Sequence, residues 1–147
     1  MTEDEAKIIN HTITRLLSRR EHSQFELIQK LIARGFNEKL CEKQLQFFID
    51  KRIQSDERYL EAYVRSAFIK GKGPQVIRQT LNQHNIEGGH VNEHIYDEDY
   101  DWYKLATKVR IKRFGQSPPL DFTDKQKQMR FLQYRGFEQE QINAAFD

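Results

Sequence analysis

Four groups of residues in this chain have types and spacings that could do chemistry. His90 and His94 stand at i, i+4, with Glu93 and Asp97 nearby. On a helix that spacing puts two imidazoles on one face, as in a zinc pair. No third fixed ligand is evident, so surface histidines are the preferred reading and no metal is expected. Gly71-Lys72-Gly73-Pro74 looks like a fragment of a phosphate loop. It lacks the full glycine spacing and the Lys-Ser/Thr ending that surround a phosphate with backbone N–H groups, a cation and a hydroxyl. Cys41 is the only thiol, so no internal disulfide can form. No Ser/His/Asp or Cys/His arrangement stands out. The chain therefore reads as a non-enzyme without cofactors.

The fourth group is cationic. Lys70, Lys72 and Arg78 flank the Gly-rich turn. Lys104, Lys108 and Lys112 form an i, i+4, i+8 stripe, with Arg110 and Arg113 on adjoining faces. Lys125, Lys127 and Arg130 are expected to open a helix, where cations oppose the macrodipole at a cost of a few tenths of a kcal/mol. A local cost without a local benefit points to a partner, either phosphate or an acidic protein surface. Trp102 and the tyrosines fall mostly on apolar faces, which favours core packing over base stacking.

The net charge of +2 hides an uneven distribution. Lys and Arg number 10 against 8 Asp and Glu over residues 1–54, 5 against 8 over 55–99, and 9 against 6 over 100–147. An acidic knot (Asp97, Glu98, Asp99, Asp101) directly precedes the basic stripe, and such blocks can set the choice and orientation of a partner. No apolar run approaches the ~18 residues that span a membrane. The acidic start, Met1 to Ala6, has no apolar stretch of the signal-peptide kind. With a single cysteine, the reducing cytoplasm is the expected compartment.

The elements that must position these residues emerge from an internal repeat. Leu31, Leu81 and Leu132 lie 50 and 51 residues apart, and so do Gly35, Asn85 and Gly136, and Phe36, Ile86 and Phe137. Gly or Asn takes the left-handed conformation that ends a helix, and the next residue folds its apolar side chain back onto the Leu four positions before the Gly or Asn. Each set is thus one helix stop. The matching starts are Ser23 with Glu26 as a capping box, Gly73-Pro74 with Pro at the first helical position, and Thr123 with Gln126, or Asp124.

A following helix aligns Cys41, Val91 and Ile142, then Leu45, Ile95 and Phe146. Cys41 therefore occupies a slot for a small buried hydrophobe rather than a reactive thiol. A preceding helix in each copy carries Ala6, Ile9, Ile13, Leu16 and Leu17; Tyr59, Tyr63 and Ala67; or Trp102, Leu105, Ala106 and Val109. Phe114-Gly115 ends the last of these, and a loop near 115–122 containing Pro118-Pro119 lengthens the third copy. No segment has strand periodicity. The expected fold is all-α: three tandem three-helix repeats at 1–54, 55–99 and 100–147. Each unit alone buries little surface, so stacking into an elongated, curved array should stabilise all three.

Three stretches resemble the RecX family of recombination regulators. The first runs from Arg19-Arg20-Glu21-His22-Ser23 through Glu26-Leu27 to Lys30-Leu31. The second is Asp56-Glu57-Arg58, Lys70-Gly71-Lys72-Gly73-Pro74 and Ile77-Arg78 before Leu81. The third is Lys127-Gln128, Arg130-Phe131-Leu132 and Tyr134-Arg135-Gly136-Phe137. The resemblance covers nearly the whole chain in order. It departs at Tyr59-Leu60, where Phe-Ala is more usual, and at Asn85, where Gly is usual.

The resemblance implies a non-enzymatic protein that binds the RecA recombinase filament on single-stranded DNA; a monomer is expected. It further implies that such a protein lies along the filament groove, restrains its ATPase and strand exchange, and favours filament loss. The family's basic positions correspond to Arg19, Arg20, Lys70, Lys72, Arg78, Arg130 and Arg135, which are expected to meet RecA or DNA. The alternative is a helical nucleic-acid-binding module acting mainly through direct DNA contacts.

Overall fold

The computed structural model describes residues 2–86 and 88–147. Among the described residues every regular element is helical: α1 (Thr2–Arg19), α2 (Gln24–Ala33), α3 (Glu38–Asp50), α4 (Asp56–Ile69), α5 (Pro74–Gln83), α6 (Gly89–Ile95), α7 (Trp102–Phe114), α8 (Phe122–Tyr134) and α9 (Gln139–Ala144). Three successive groups of three helices follow the expected repeats.

The caps explain most of these boundaries. The Ser23 hydroxyl accepts the Glu26 N–H at 3.0 Å, and the Glu26 carboxylate accepts the Ser23 N–H at 3.1 Å, closing the expected box. At the other end of α2, Gly35 has φ +93° and the Phe36 N–H donates to the Leu31 carbonyl at 3.2 Å. Gly136 has φ +99°, with the same bond from Phe137 to Leu132 at 3.1 Å. Asn85 also has positive φ, +59°. Leu31, Leu81 and Leu132 are all fully buried, which places the three stops on cores.

Two expectations about the third repeat are corrected. Helix α8 starts one turn earlier than Thr123 or Asp124 would place it, because the Asp121 carboxylate caps it by accepting the Asp124 N–H at 2.8 Å. Lys125 is the fourth residue of α8, beside Asp124, which supplies the negative charge the helix start favours, while Lys127 and Arg130 lie beyond the first turn. The macrodipole cost falls away for Lys127 and Arg130 and is offset at Lys125. The second correction concerns Phe146. Helix α9 stops at Ala144, so Ala145, 2 % exposed, takes the core slot, while half-buried Phe146 lies beneath Lys125 and Arg110.

The chain forms two compact units, a partition different from the three repeats. One contains residues 2–62 with 84–86, the other 63–83 with 88–147, so α4 contributes to both. In the first unit α1 and α2 both pack on α3 around Ile9, Ile13, Leu16, Leu27, Leu31, Cys41 and Leu45. Burial, helped by Glu38, pushes the Cys41 thiol up from its ordinary pKa, so it behaves as the small hydrophobe its repeat slot demanded. His22, 2 % exposed, lies in the turn between α1 and α2 with Nδ1 3.1 Å from the Arg20 carbonyl and Nε2 3.4 Å from Lys30 Nζ. His84 stacks beside Phe25 and Tyr59, and its Nδ1 is 3.0 Å from the Tyr59 hydroxyl.

In the second unit α7 packs on α8 and α9, and α5 on α6. Phe68, Tyr100 and Trp102 form an aromatic cluster, with the Trp102 indole N–H donating to the Ile95 carbonyl at 2.7 Å. The turn before α5 docks on the turn after α8 backbone to backbone. The Gly73 N–H donates to the Arg135 carbonyl at 2.7 Å, and the Gln75 N–H to the Gly136 carbonyl at 2.8 Å. A Cβ on Gly73 would stand 2.4 Å from the Gly136 carbonyl carbon, so only glycine permits this approach. Gly73-Pro74, which resembled a phosphate loop, is thus a packing joint between the second and third repeats.

Candidate partner-binding surface

The basic residues singled out from the sequence separate into two classes when their side chains are followed. The first class is spent inside the protein. Arg20 grips Glu26 through two nitrogens, at 2.8 and 3.2 Å, and donates to the Glu21 carbonyl at 2.7 Å. Burial alone would raise the Glu26 carboxyl; the bonds from Arg20 and the Ser23 N–H outweigh it and hold Glu26 below its ordinary value. Arg20 therefore reinforces the cap of α2. Arg78 bridges Tyr96 (2.9 Å), Glu138 (3.0 Å) and Asn92 (3.3 Å), tying α5 to α6 and to the start of α9.

Arg110 must be withdrawn as a contact residue. It is 7 % exposed, its Nε donates to the Ala145 carbonyl at 2.8 Å, and its guanidinium lies 5.2 Å from the centre of the Phe146 ring. It caps the end of α9 at the Ala145 carbonyl, one of the groups a helix end leaves without a partner. Reading Arg110 as an outward side chain failed because α9 covers that face of α7.

The second class faces solvent. Lys70, Lys104, Lys108, Lys112, Lys127 and Arg130 are exposed, and among the described residues their side-chain cations have no hydrogen bond or ion pair. Arg19 is exposed in the first unit, and Lys72 is half-buried. Three members of this class converge. A groove of ≈ 460 Å³ in the second unit runs between the end of α4, the side of α7 and the end of α8. Lys70, Lys108, Lys112, Arg113 and Arg135 line it, and no carboxylate does.

Each helix contributes for a local reason. On α7, Leu105 and Val109, and likewise Lys108 and Lys112, keep the i, i+4 spacing, so an apolar pair and a cationic pair run side by side along the groove, with Arg113 one turn beyond Val109. Gly71, with φ +79°, ends α4 and leaves Lys70 exposed at the rim. Arg135, just past α8, crosses to that end and donates to the Lys70 carbonyl at 2.6 Å and the Gly71 carbonyl at 3.1 and 3.2 Å. These carbonyls carry the negative end of the α4 dipole, so the contact is charge-assisted. Arg135 is a structural clamp as well as a groove residue.

The floor was not anticipated. Ile69, Leu105, Val109 and Phe131 form it, and Ile69 is 77 % exposed. The signal for Ile69 was present in the sequence. Along α4 the buried positions are Tyr59, Leu60, Val64 and Ala67, and Ile69 lies off that face immediately before Lys70. Phe131 gave no such signal, because its neighbours Arg113 and Arg135 come from elsewhere in the chain; their guanidinium carbons lie 5.3 and 5.9 Å from its ring centre. Of the two histidines, His90 is exposed and lies 3.9 Å from the Glu93 carboxylate, and His94 is half-buried.

A cationic rim over an aliphatic floor, with no counter-charge in its lining, is poorly satisfied by the protein itself. Like charges gathered on one surface cost a few tenths of a kcal/mol per close pair, which an arriving anionic partner would remove.

Comparison with known proteins covers the whole of this architecture. The profiles of the first, second and third three-helix domains of RecX match residues 8–48, 55–95 and 99–146 in order. The regulatory protein RecX of Halorhodospira halophila is 36 % identical over 140 residues, covering 95 % of this chain and 87 % of that protein. That of Vibrio campbellii is 38 % identical over 130 residues, covering 88 % and 84 %. A crystal structure of regulatory protein RecX superposes with a TM-score of 0.79 at 23 % identity, covering 97 % of this chain and 73 % of that one. RecX from Lactobacillus salivarius gives a TM-score of 0.75 at 19 % identity, covering 97 % and 95 %. The structural likeness supports the all-helical fold.

Proposed function

This chain belongs to the RecX family of regulatory proteins, and on that premise we propose that it regulates RecA in the cytoplasm, binding the recombinase filament on single-stranded DNA and restraining its ATPase and strand exchange. The observation that carries the reading is the complete, ordered set of three RecX domains. Membership in a regulatory family also suggests a protein that acts by binding rather than by catalysis. Among the described residues no helix is long and apolar enough to cross a membrane.

The physical logic is that of a rigid ligand on a moving machine. A filament that hydrolyses ATP must change the relation between neighbouring subunits. A scaffold that binds one arrangement more tightly than another shifts the population toward it by its differential affinity. The cations that remain unpartnered, Lys70, Lys104, Lys108, Lys112, Lys127 and Arg130 with Arg19 and Lys72, are the proposed contacts. Arg20, Arg78, Arg113, Lys125 and Arg135 support them from internal contacts.

The test is RecA's DNA-dependent ATPase. Addition of the chain at up to equimolar ratio should lower it and shorten the filaments; an unchanged rate and filament length would refute the proposal. A second reading, direct DNA binding, draws on the same exposed cations. Contacts from three or four of them to single-stranded DNA would give a log–log salt slope of about −2 to −3. Absence of binding to naked DNA at low salt removes that reading as the main activity.

A further inference from the structure

We propose that the groove between the end of α4, α7 and α8 seats an acidic segment of the protein partner, with carboxylates on the lysines of the rim and one aliphatic side chain on the floor. The proposal deepens the regulatory reading above, since it names the chemistry that the binding surface selects.

Charge complementarity argues for an anionic occupant. Lys70, Lys108 and Lys112 are exposed, have no ion pair among the described residues, and share a groove without a carboxylate in its lining. Nucleic acid and an acidic peptide both satisfy that condition, and the floor separates them. A single strand gains much of its affinity by stacking bases on exposed aromatic faces. Phe131 is the one aromatic residue in the lining, and it is already engaged. Arg113 and Arg135 lie 5.3 and 5.9 Å from its ring centre, and Phe114 meets it edge to face at 5.4 Å. The remaining floor is Ile69, Leu105 and Val109, whose branched methyl groups have no π-face for a base.

Such a floor gains from an apolar anchor instead. An aliphatic side chain buried against it is worth roughly 1.5–3 kcal/mol, enough to set specificity where lysines alone would accept any anion. Ile69 is the residue through which the anchor would be felt most, because it is the most exposed apolar group of the floor. An acidic, aliphatic-bearing helix or strand fits both halves of the groove, and a phosphate backbone fits only one.

The test titrates the full chain, followed by methyl NMR of Ile69, Leu105 and Val109, with three probes. These are a short synthetic peptide carrying Glu and Leu on one helical face, the same peptide with Gln for Glu, and oligo(dT). The expected result is that the Glu–Leu peptide shifts all three methyl signals and the other two probes do not. Ile69→Ser, and separately the pair Lys108→Glu and Lys112→Glu, should each weaken that peptide by about tenfold with helical circular dichroism unchanged. Oligo(dT) shifting these methyls in place of the peptide would overturn the proposal in favour of nucleic acid. So would silence from all three probes, or full affinity in Ile69→Ser. The titration contains no RecA, so the two readings fail separately. Inhibition of RecA with a flat peptide titration refutes this site alone, while a chain that leaves the RecA ATPase untouched refutes the regulatory reading and not the groove's preference.

Discussion

At Gly35 and at Gly136 the same turn closes a helix. The φ values are +93° and +99°, the following Phe donates its N–H back to the carbonyl of a fully buried Leu, and another helix follows. The surroundings differ. A Cβ on Gly35 would meet nothing within 4 Å, whereas one on Gly136 would lie 2.6–2.7 Å from Val76. Gly35 serves its own helix; Gly136 also forms half of a joint whose other half is Gly73, held by the two backbone bonds across the turns. One local motif therefore carries two energetic roles, and of these two turns it is the one in the third repeat that locks onto its neighbour.

The largest expected effect breaks the joint directly. Gly73→Ala would drive a methyl into the Gly136–Phe137 backbone, which no rotamer change can relieve. It should cost about 3 kcal/mol or more and lower the urea midpoint read by Trp102, the single tryptophan, which lies in the second unit. Gly136→Ala should come close to it, adding left-handed strain to the clash with Val76; a companion Val76→Ala should recover part of the loss.

Next comes Arg135→Met, which keeps the stem over Phe131 but removes the charge-assisted bonds to Lys70 and Gly71. It should cost about 2 kcal/mol and raise hydrogen exchange at the end of α4. Gly35→Ala, with open space around it, should cost only the conformational term of about 1 kcal/mol and be felt in the exchange of α2. If Gly35→Ala proved as damaging as Gly136→Ala, the distinction between the two turns would be wrong. Smallest of all is Asn85→Gly, where Asn already tolerates φ +59°; a change within about 0.5 kcal/mol is expected.

A pH experiment sharpens the contrast between the units. Burial lowers the His22 pKa from its ordinary 6.5, and the Arg20 and Lys30 cations also oppose protonation. Between that lowered value and 6.5 the unfolded chain binds more protons than the folded one, so stability rises with pH through this window and is lost as pH falls below 6.5. Protection of the α2 amides, taken relative to the intrinsic exchange rate at each pH, should fall from neutral pH toward pH ~5. His22→Asn, which can keep a donor to the Arg20 carbonyl, should flatten that dependence.

Much of the fold was legible in the chain because helix stops are local. The Gly or Asn, the apolar residue after it and the Leu before it lie within six residues, and their physics needs no tertiary partner. The same holds for the Ser23–Glu26 box and for the Cys41 slot. The start of α8 was misread because Asp121 and Asp124 are both good caps, and choosing between them depends on how the loop with Pro118 and Pro119 delivers the chain. The candidate surface was half legible. Its exposed lysines followed from the spacing along α7, but Arg20, Arg78 and Arg110 carry the same charge and are engaged inside.

The sequence by itself determined the number of repeats, where the middle helix of each repeat ends, and that positive charge gathers in the last third of the chain. These are consequences of backbone conformation and of spacing along one helix. Only the tertiary structure decided which glycine is a joint, which arginine is a clamp and which lysine faces an open groove. Those outcomes depend on atoms 18 to 65 residues apart meeting within hydrogen-bond or van der Waals distance, and neither residue type nor periodicity encodes that distance.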